Sequence, residues 1–268
     1  MNKIPLFSLK GVEYKCHNGN TLIVKKFEFH KGIVYGISGK PGAGKTILLD
    51  KLEKKIKPNS GEIEYDGKAY SQLSSKDYKN QFAIVPQIFK TPFFATVRDY
   101  LLKTFSNYSH IDSAQKRLES ICHKMDISES ILDLKMKHLS PGQLRWVLLA
   151  CGVGADTKVL LIDEIEQHLP AEQLTTLLKV LHKKCNYDGV TMIISTQKID
   201  VLKKIGSIFV SLNEGKITSV RSPNKKPGRR PNRPQNKDRK KFTTTTNNTI
   251  NNNKPQSPPV SKSNTSQS

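Results

Sequence analysis

The chain has 268 residues, 36% of them hydrophobic, and a formal net charge of +21. That length allows one large domain or two small ones, and the low apolar share predicts that part of the chain joins no core. Eleven basic residues and one acidic residue from Ser222 to Ser268 put +10 in the last 47 residues and leave +11 on residues 1–221. Basic surfaces favour phosphate-rich partners, whether nucleotides, nucleic acid or anionic headgroups, although scattered lysines also serve as a solvated face. No run of about 18 apolar residues occurs, which excludes a membrane-spanning helix. The N-terminal MNKIPLFSLKGVEYK lacks the apolar core of a signal peptide. Cys16, Cys122, Cys151 and Cys185 form no C-x-x-C pair, so the chain reads as reduced and cytosolic, with incidental thiols.

Residues 1–36 read as short strands (LKGVEYK, TLIVKKFEF, GIVYGIS), with a turn at Asn18–Gly19. Ile47 to Ile56 has a helical apolar face, GEIEYDG reads as a strand into a turn, and Gln81 to Val85 as an apolar strand. From about residue 88 to 140 the texture turns helical, in VRDYLLKTF and AQKRLESICHKM. Leu144 to Val153 is an apolar helix, and Val159 to Ile162 a wholly apolar strand. AEQLTTLLKVLHKKC is helical, TMIIS is a further strand, and SIFVSLNEGKITSV reads as a hairpin around Asn213 to Gly215. The segment 222–268 offers almost nothing to a core and is expected to be a disordered basic tail.

Three motifs carry chemistry. Gly39-Lys40-Pro41-Gly42-Ala43-Gly44-Lys45-Thr46 fits G-x-x-x-x-G-K-[ST] between an apolar strand and a helix. Backbone N–H groups in such a loop cradle phosphates, Lys45 would reach the β/γ-phosphates, and the Thr46 hydroxyl would bind Mg²⁺. Val159–Ile162 delivers Asp163 and Glu164 at its end, the first suited to order Mg²⁺ and the second to polarise an attacking water. Leu139-Ser140-Pro141-Gly142-Gln143 opens the helix that precedes this strand. By itself it could be an ordinary helix start, with Ser140 as N-cap and Pro141 as first helical residue.

Together the three resemble ABC-type ATPases, the ATP-binding domains of ABC transporters, with LSPGQ similar to their LSGGQ signature and Pro141 replacing its first glycine. The resemblance covers roughly residues 6–220. It implies an α/β fold over 1–221: a P-loop NTPase (RecA-like) core with an antiparallel β subdomain and an α-helical subdomain near 88–140. It further implies ATP and Mg²⁺ as ligands and head-to-tail dimers, in which Leu139–Gln143 serve the partner's site. Tyr14 would be the aromatic that stacks on adenine, the alternative being a sheet-surface tyrosine. Gln87 would be the Q-loop residue, a Mg²⁺ sensor alongside Thr46 and Asp163 and a contact to the transmembrane partner. Glu164 would be the catalytic base.

Two positions depart from the family. The loop after Glu164 reads IEQHLP, with Pro170 where the family ends in Asp and His168 where a small residue is usual. The switch position, His in the family, is Gln197. Glutamine still donates a hydrogen bond to a γ-phosphate but takes no positive charge. Two readings follow: a slow site in a heterodimer with another ATPase subunit, or a slowly turning homodimer. The expected role is the ATP-binding subunit of a transporter whose permease is a separate chain, peripheral on the cytoplasmic face of the membrane. The alternative is a soluble ABC-type ATPase acting on nucleic acid or the ribosome. The tail reads either as a solubilising disordered extension or as an electrostatic attachment to anionic lipid or nucleic acid.

Overall fold

The computed structural model describes residues 4–223 apart from 16–20, 55–56, 75–77 and 79. The expected Asn18–Gly19 turn and all of the expected tail beyond Pro223 lie outside the described residues.

Among the described residues ten strands make one sheet, in the order β5-β4-β1-β2-β10-β9-β3-β8-β7-β6. β1 (Phe7–Lys15), β2 (Thr21–Phe29), β4 (Ser60–Tyr65) and β5 (Lys68–Ala69) pair antiparallel and form the β wing. β3 (Val34–Ser38), β6 (Phe82–Val85), β7 (Val159–Ile162), β8 (Thr191–Thr196) and β9 (Ile208–Asn213) run parallel. β10 (Lys216–Arg221) returns antiparallel on β9, across a turn whose Glu214 and Gly215 both take positive φ. This double positive φ is what a tight hairpin needs to match strand twist. The fold class is the α/β architecture expected from the sequence.

Among the described residues the helices include α1 (Lys45–Leu52), α2 (Val97–Ser106), α3 (Ala114–Met125), the single turn α4 (Glu129–Leu132), α5 (Pro141–Gly154) and α6 (Ala171–Asp188). Local chemistry sets their starts. Thr96 and Asp99 form a capping box on α2, Ser113 caps α3, and Ser140 with Gln143 boxes α5 with Pro141 at the first position.

Strand periodicity divides the core in two. On β7 and β8, Leu160, Ile162, Met192 and Ile194 face one layer, while Val159, Leu161 and Ile193 face the other. The first layer holds α2, α3, α5 and α6; the second holds α1 and the β wing. A parallel strand buried on both faces must be apolar throughout, which is why VLLI carries no alternation. Within the first layer Phe105 of α2 is fully buried and packs on Gly154 of α5, where an added Cβ would meet its ring at 2.6 Å. Trp146 Nε1 donates to Met125 O at 2.8 Å, tying α5 to α3. These contacts fix the direction of α5, whose N-terminus carries Leu139–Gln143.

Phe105→Ala removes a fully buried ring from this junction. We expect it to cost about 3–5 kcal/mol in urea unfolding, whereas a loss below about 1 kcal/mol would mean that the layer collapses to fill the space.

Candidate functional site

The parallel strands β3, β7 and β8 end side by side, so the residues that follow them converge, as ligands do at strand carboxyl ends in open α/β sheets. After β3 the chain turns through Gly39–Gly44 into α1. Gly44 has φ +98, in the left-handed region, and a Cβ on Gly39 would meet Leu212 O at 2.5 Å. Only glycine satisfies both positions. Gly215 N donates to Ala43 O at 3.1 Å, pinning the loop to the β9–β10 turn.

Lys45 folds back inside this loop. Its Nζ donates to Gly39 O at 2.8 Å and lies 3.0 Å from Glu164 Oε1, with both side chains buried. Asp163, at the end of β7, joins three elements. Its Oδ2 accepts from Thr46 Oγ1 at 2.6 Å, its Oδ1 accepts from Ser195 Oγ of β8, and its own N–H donates to Val85 O of β6 at 2.9 Å. Ser195 Oγ also accepts from Glu164 N at 2.7 Å. Buried polar groups are retained only when so satisfied, and this network leaves the carboxylate little freedom.

Gln87 and Gln197 are exposed and border the same cleft, about 180 Å³, together with Gly42, Lys45, Thr46 and Glu164. A neighbouring cleft of about 140 Å³ is lined by Thr46, Asp163 and Gln87. The structure therefore gathers Lys45, Thr46, Gln87, Asp163, Glu164 and Gln197 in one place. Gln197 is held through its backbone: its N–H donates to Glu166 Oε1 at 2.8 Å, and Thr196 Oγ1 donates to the same oxygen at 2.9 Å.

Two sets of expected residues are not brought here. Tyr14 lies on β1 two residues after the fully buried Val12, so it shares the inward face of the strand. Its ring packs toward the second core layer, Lys51 Nζ sits 3.5 Å from the ring centroid, and Tyr14 lines neither cleft. The ring therefore lies against Lys51 and the second core layer rather than along either cleft. Leu139–Gln143 also line neither cleft and instead build the start of α5. Gly142 packs on the turn after Glu164, where an added Cβ would meet His168 O at 3.0 Å.

Three site residues escaped the sequence reading: Ser195, Glu166 and Arg145. Ser195 and Glu166 could have been found by continuing the β8 and post-β7 runs into the cleft. Arg145 gives no such local signal. Its guanidinium is buried, with Nη1 donating to Pro86 O at 2.7 Å and Nη2 to Asp163 O and, at 2.9 Å, to Glu164 O. Burial pushes this guanidinium down to about 10, opposed by the charges of Asp163, Glu166 and Glu164.

A family model described as "ABC transporter" matches residues 24–167, more than half of the chain. The chain belongs to the ABC transporter family. A methionine import ATP-binding protein, MetN of Legionella pneumophila (strain Lens), is 30% identical over 192 residues, 70% of this chain and 56% of that protein. The chain thus spans about half the length of the methionine-import relatives it matches. The petrobactin import ATP-binding protein YclP of Bacillus subtilis (strain 168) is 25% identical over 199 residues, 73% of this chain and 78% of that one. Among solved structures, an ATP-binding subunit of an ABC transporter superposes with a TM-score of 0.73 at 21% identity, over 81% of this chain and 90% of that one. The cbiO1 protein of Clostridium perfringens, part of the ABC transporter complex cbiONQ, gives 0.66 at 25% identity, over 82% and 90%.

Ser195→Ala deletes the hydroxyl that Asp163 and Glu164 N share. The buried amide left without an acceptor should cost about 1–3 kcal/mol, read by thermal or urea unfolding; an unchanged midpoint would contradict the hydrogen-bond assignment.

Proposed function

We propose that this ABC-family chain is the ATP-binding and ATP-hydrolysing subunit of a transporter, working as a head-to-tail dimer beneath a separate permease chain. The observation that carries the reading is the convergence of Lys45, Thr46, Gln87, Asp163, Glu164 and Gln197 on two neighbouring clefts that share Thr46 and Gln87. The relatives named as import ATP-binding proteins support the role, and an ATP-binding cassette of this fold, MJ0796, has been solved as a dimer bound to ADP and Pi.

In this reading the Gly39–Thr46 backbone and the α1 N-terminus take up the phosphates, and Lys45 binds the terminal ones. Thr46 Oγ1 and Asp163 Oδ2, 2.6 Å apart, form a hard oxygen pair of the kind Mg²⁺ selects, with Gln87 bordering them. The bound ion would neutralise charge that develops on the phosphates. Lys45 already pairs with Glu164 at 3.0 Å. A phosphate that takes over the ammonium therefore displaces this carboxylate, which becomes available to accept a proton from the attacking water. Gln197 donates its amide N–H to the γ-phosphate. As a neutral donor it stabilises transition-state charge less than an imidazolium, so ATP is held well and hydrolysed slowly.

Ser140–Gln143 present the α5 N-terminus to the partner subunit's nucleotide, the Ser140 hydroxyl hydrogen remaining available while its oxygen caps Gln143 N. The same-chain cleft contains none of these residues, which is what a shared site requires. For the permease, the stretch that follows Gln87 exposes Ile88 (87%), Phe94 (81%) and Phe93 (60%), the two rings 5.0 Å apart. A cluster of large apolar side chains in the open marks a docking surface. No described helix is long and apolar enough to cross a membrane; in this reading the chain meets the membrane through the permease, on the cytoplasmic face.

The test is ATP turnover by the purified chain. Glu164→Gln should abolish turnover while ATP binding persists, and Gln197→His should raise kcat by on the order of 10²–10³ at nearly constant ATP affinity. Turnover that survives Glu164→Gln, or a Gln197→His chain no faster than the parent, would contradict these roles.

A further inference from the structure

Arg145 stands two residues beyond the Ser140–Gln143 capping box, in the first turns of α5. Its side chain is 3% exposed and reaches only main-chain acceptors: Pro86 O, Asp163 O and Glu164 O. Pro86 immediately precedes Gln87. One planar cation therefore clamps the exit of β6, which carries Gln87, and the exit of β7, which carries the carboxylates, to the helix that begins with the signature.

The clamp acts where the backbone most needs it. Glu164 has φ +51, a left-handed conformation that is uncommon for a non-glycine residue. Ser195 Oγ fixes the N–H of Glu164 and Arg145 fixes its carbonyl, so the residue is gripped on both sides. A guanidinium presents its donors in a rigid plane, whereas an ammonium on a flexible stem reaches fewer acceptors and fixes none of their relative positions.

We propose that Arg145 is a positioning residue that ties the signature helix to the Gln87 and Glu164 main chain, so that nucleotide engaged by Ser140–Gln143 in one site sets the base in the other. The proposal rests on the head-to-tail ATPase reading above. α5 rises about 1.5 Å per residue, so Arg145 lies about 3 Å along the axis from Gln143 and moves with it as one rigid body. A displacement of about 1 Å in a catalytic group costs about 10² in rate, which makes even a small shift of the helix consequential. Arg145 touches no nucleotide in this scheme; it acts through Glu164.

The experiment compares full-length wild type with Arg145→Lys and Arg145→Gln, measuring kcat, KM, the Hill coefficient for ATP and the equilibrium affinity for ATP. We expect kcat to fall by about 10–100-fold in Arg145→Lys and further in Arg145→Gln. ATP affinity should stay within about threefold, and the Hill coefficient should drop toward 1. Loss of kcat and affinity in parallel would overturn the proposal, as would a kcat near that of the wild type. So would a lysine variant that no longer folds or binds nucleotide, since Arg145 would then be a structural cation only. Wild-type turnover in the same assay separates the two claims: an inactive wild type contradicts the ATPase reading and the proposal with it, whereas an active one with unaffected variants contradicts the proposal alone.

Discussion

The carboxylate of Asp163 is the point on which the site depends. A buried carboxylate is costly unless each oxygen finds a donor, and here the donors come from two separate elements: Thr46 of the phosphate loop and Ser195 of β8. Satisfying one charge therefore docks the loop onto two parallel strands. That docking in turn fixes Glu164, whose N–H shares the Ser195 hydroxyl, and Lys45, whose ammonium meets the Glu164 carboxylate. The apolar runs of β7 and β8 set the framework for this polar centre by being buried on both faces. Apolar packing fixes the strand ends, and hydrogen bonding fixes what those ends present.

The same arrangement makes the site responsive. Lys45 is a cation already matched by an anion, one for which an arriving phosphate would compete. Exchange of partners at Lys45 would couple phosphate arrival to release of the base. On the far side of the carboxylates the backbone carbonyls are held by Arg145 from α5, so the Ser140–Gln143 end of that helix and Glu164 share a mechanical connection. Gln197 stands outside this network by its side chain but inside it by its backbone, through Glu166. Its position is therefore well determined even though its chemistry differs from the family's histidine.

What could be read from the sequence was what is local. The phosphate loop needs its glycines, lysine and threonine at fixed spacing, and Val159–Glu164 announces a buried strand ending in carboxylates. The Ser140–Gln143 box was visible as a helix start. Tyr14, which the resemblance would set against adenine, packs beside Lys51 on the face of β1 that it shares with Val12. Arg145 was missed for a different reason. Its acceptors lie 59, 18 and 19 residues away in sequence and are all main-chain oxygens, which leave no trace in residue type. The role proposed for Leu139–Gln143 in a partner's site has no same-chain geometry that sequence or fold could display.

The central claim is that Lys45 and the carboxylates form an ATP site, and calorimetric titration of the full-length chain with Mg·ATP tests it most directly. The prediction is saturable binding by the wild type with one nucleotide per chain, lost in Lys45→Ala and weakened in Thr46→Ala only when Mg²⁺ is present. Binding that is absent in the wild type, or unchanged in Lys45→Ala, would contradict it.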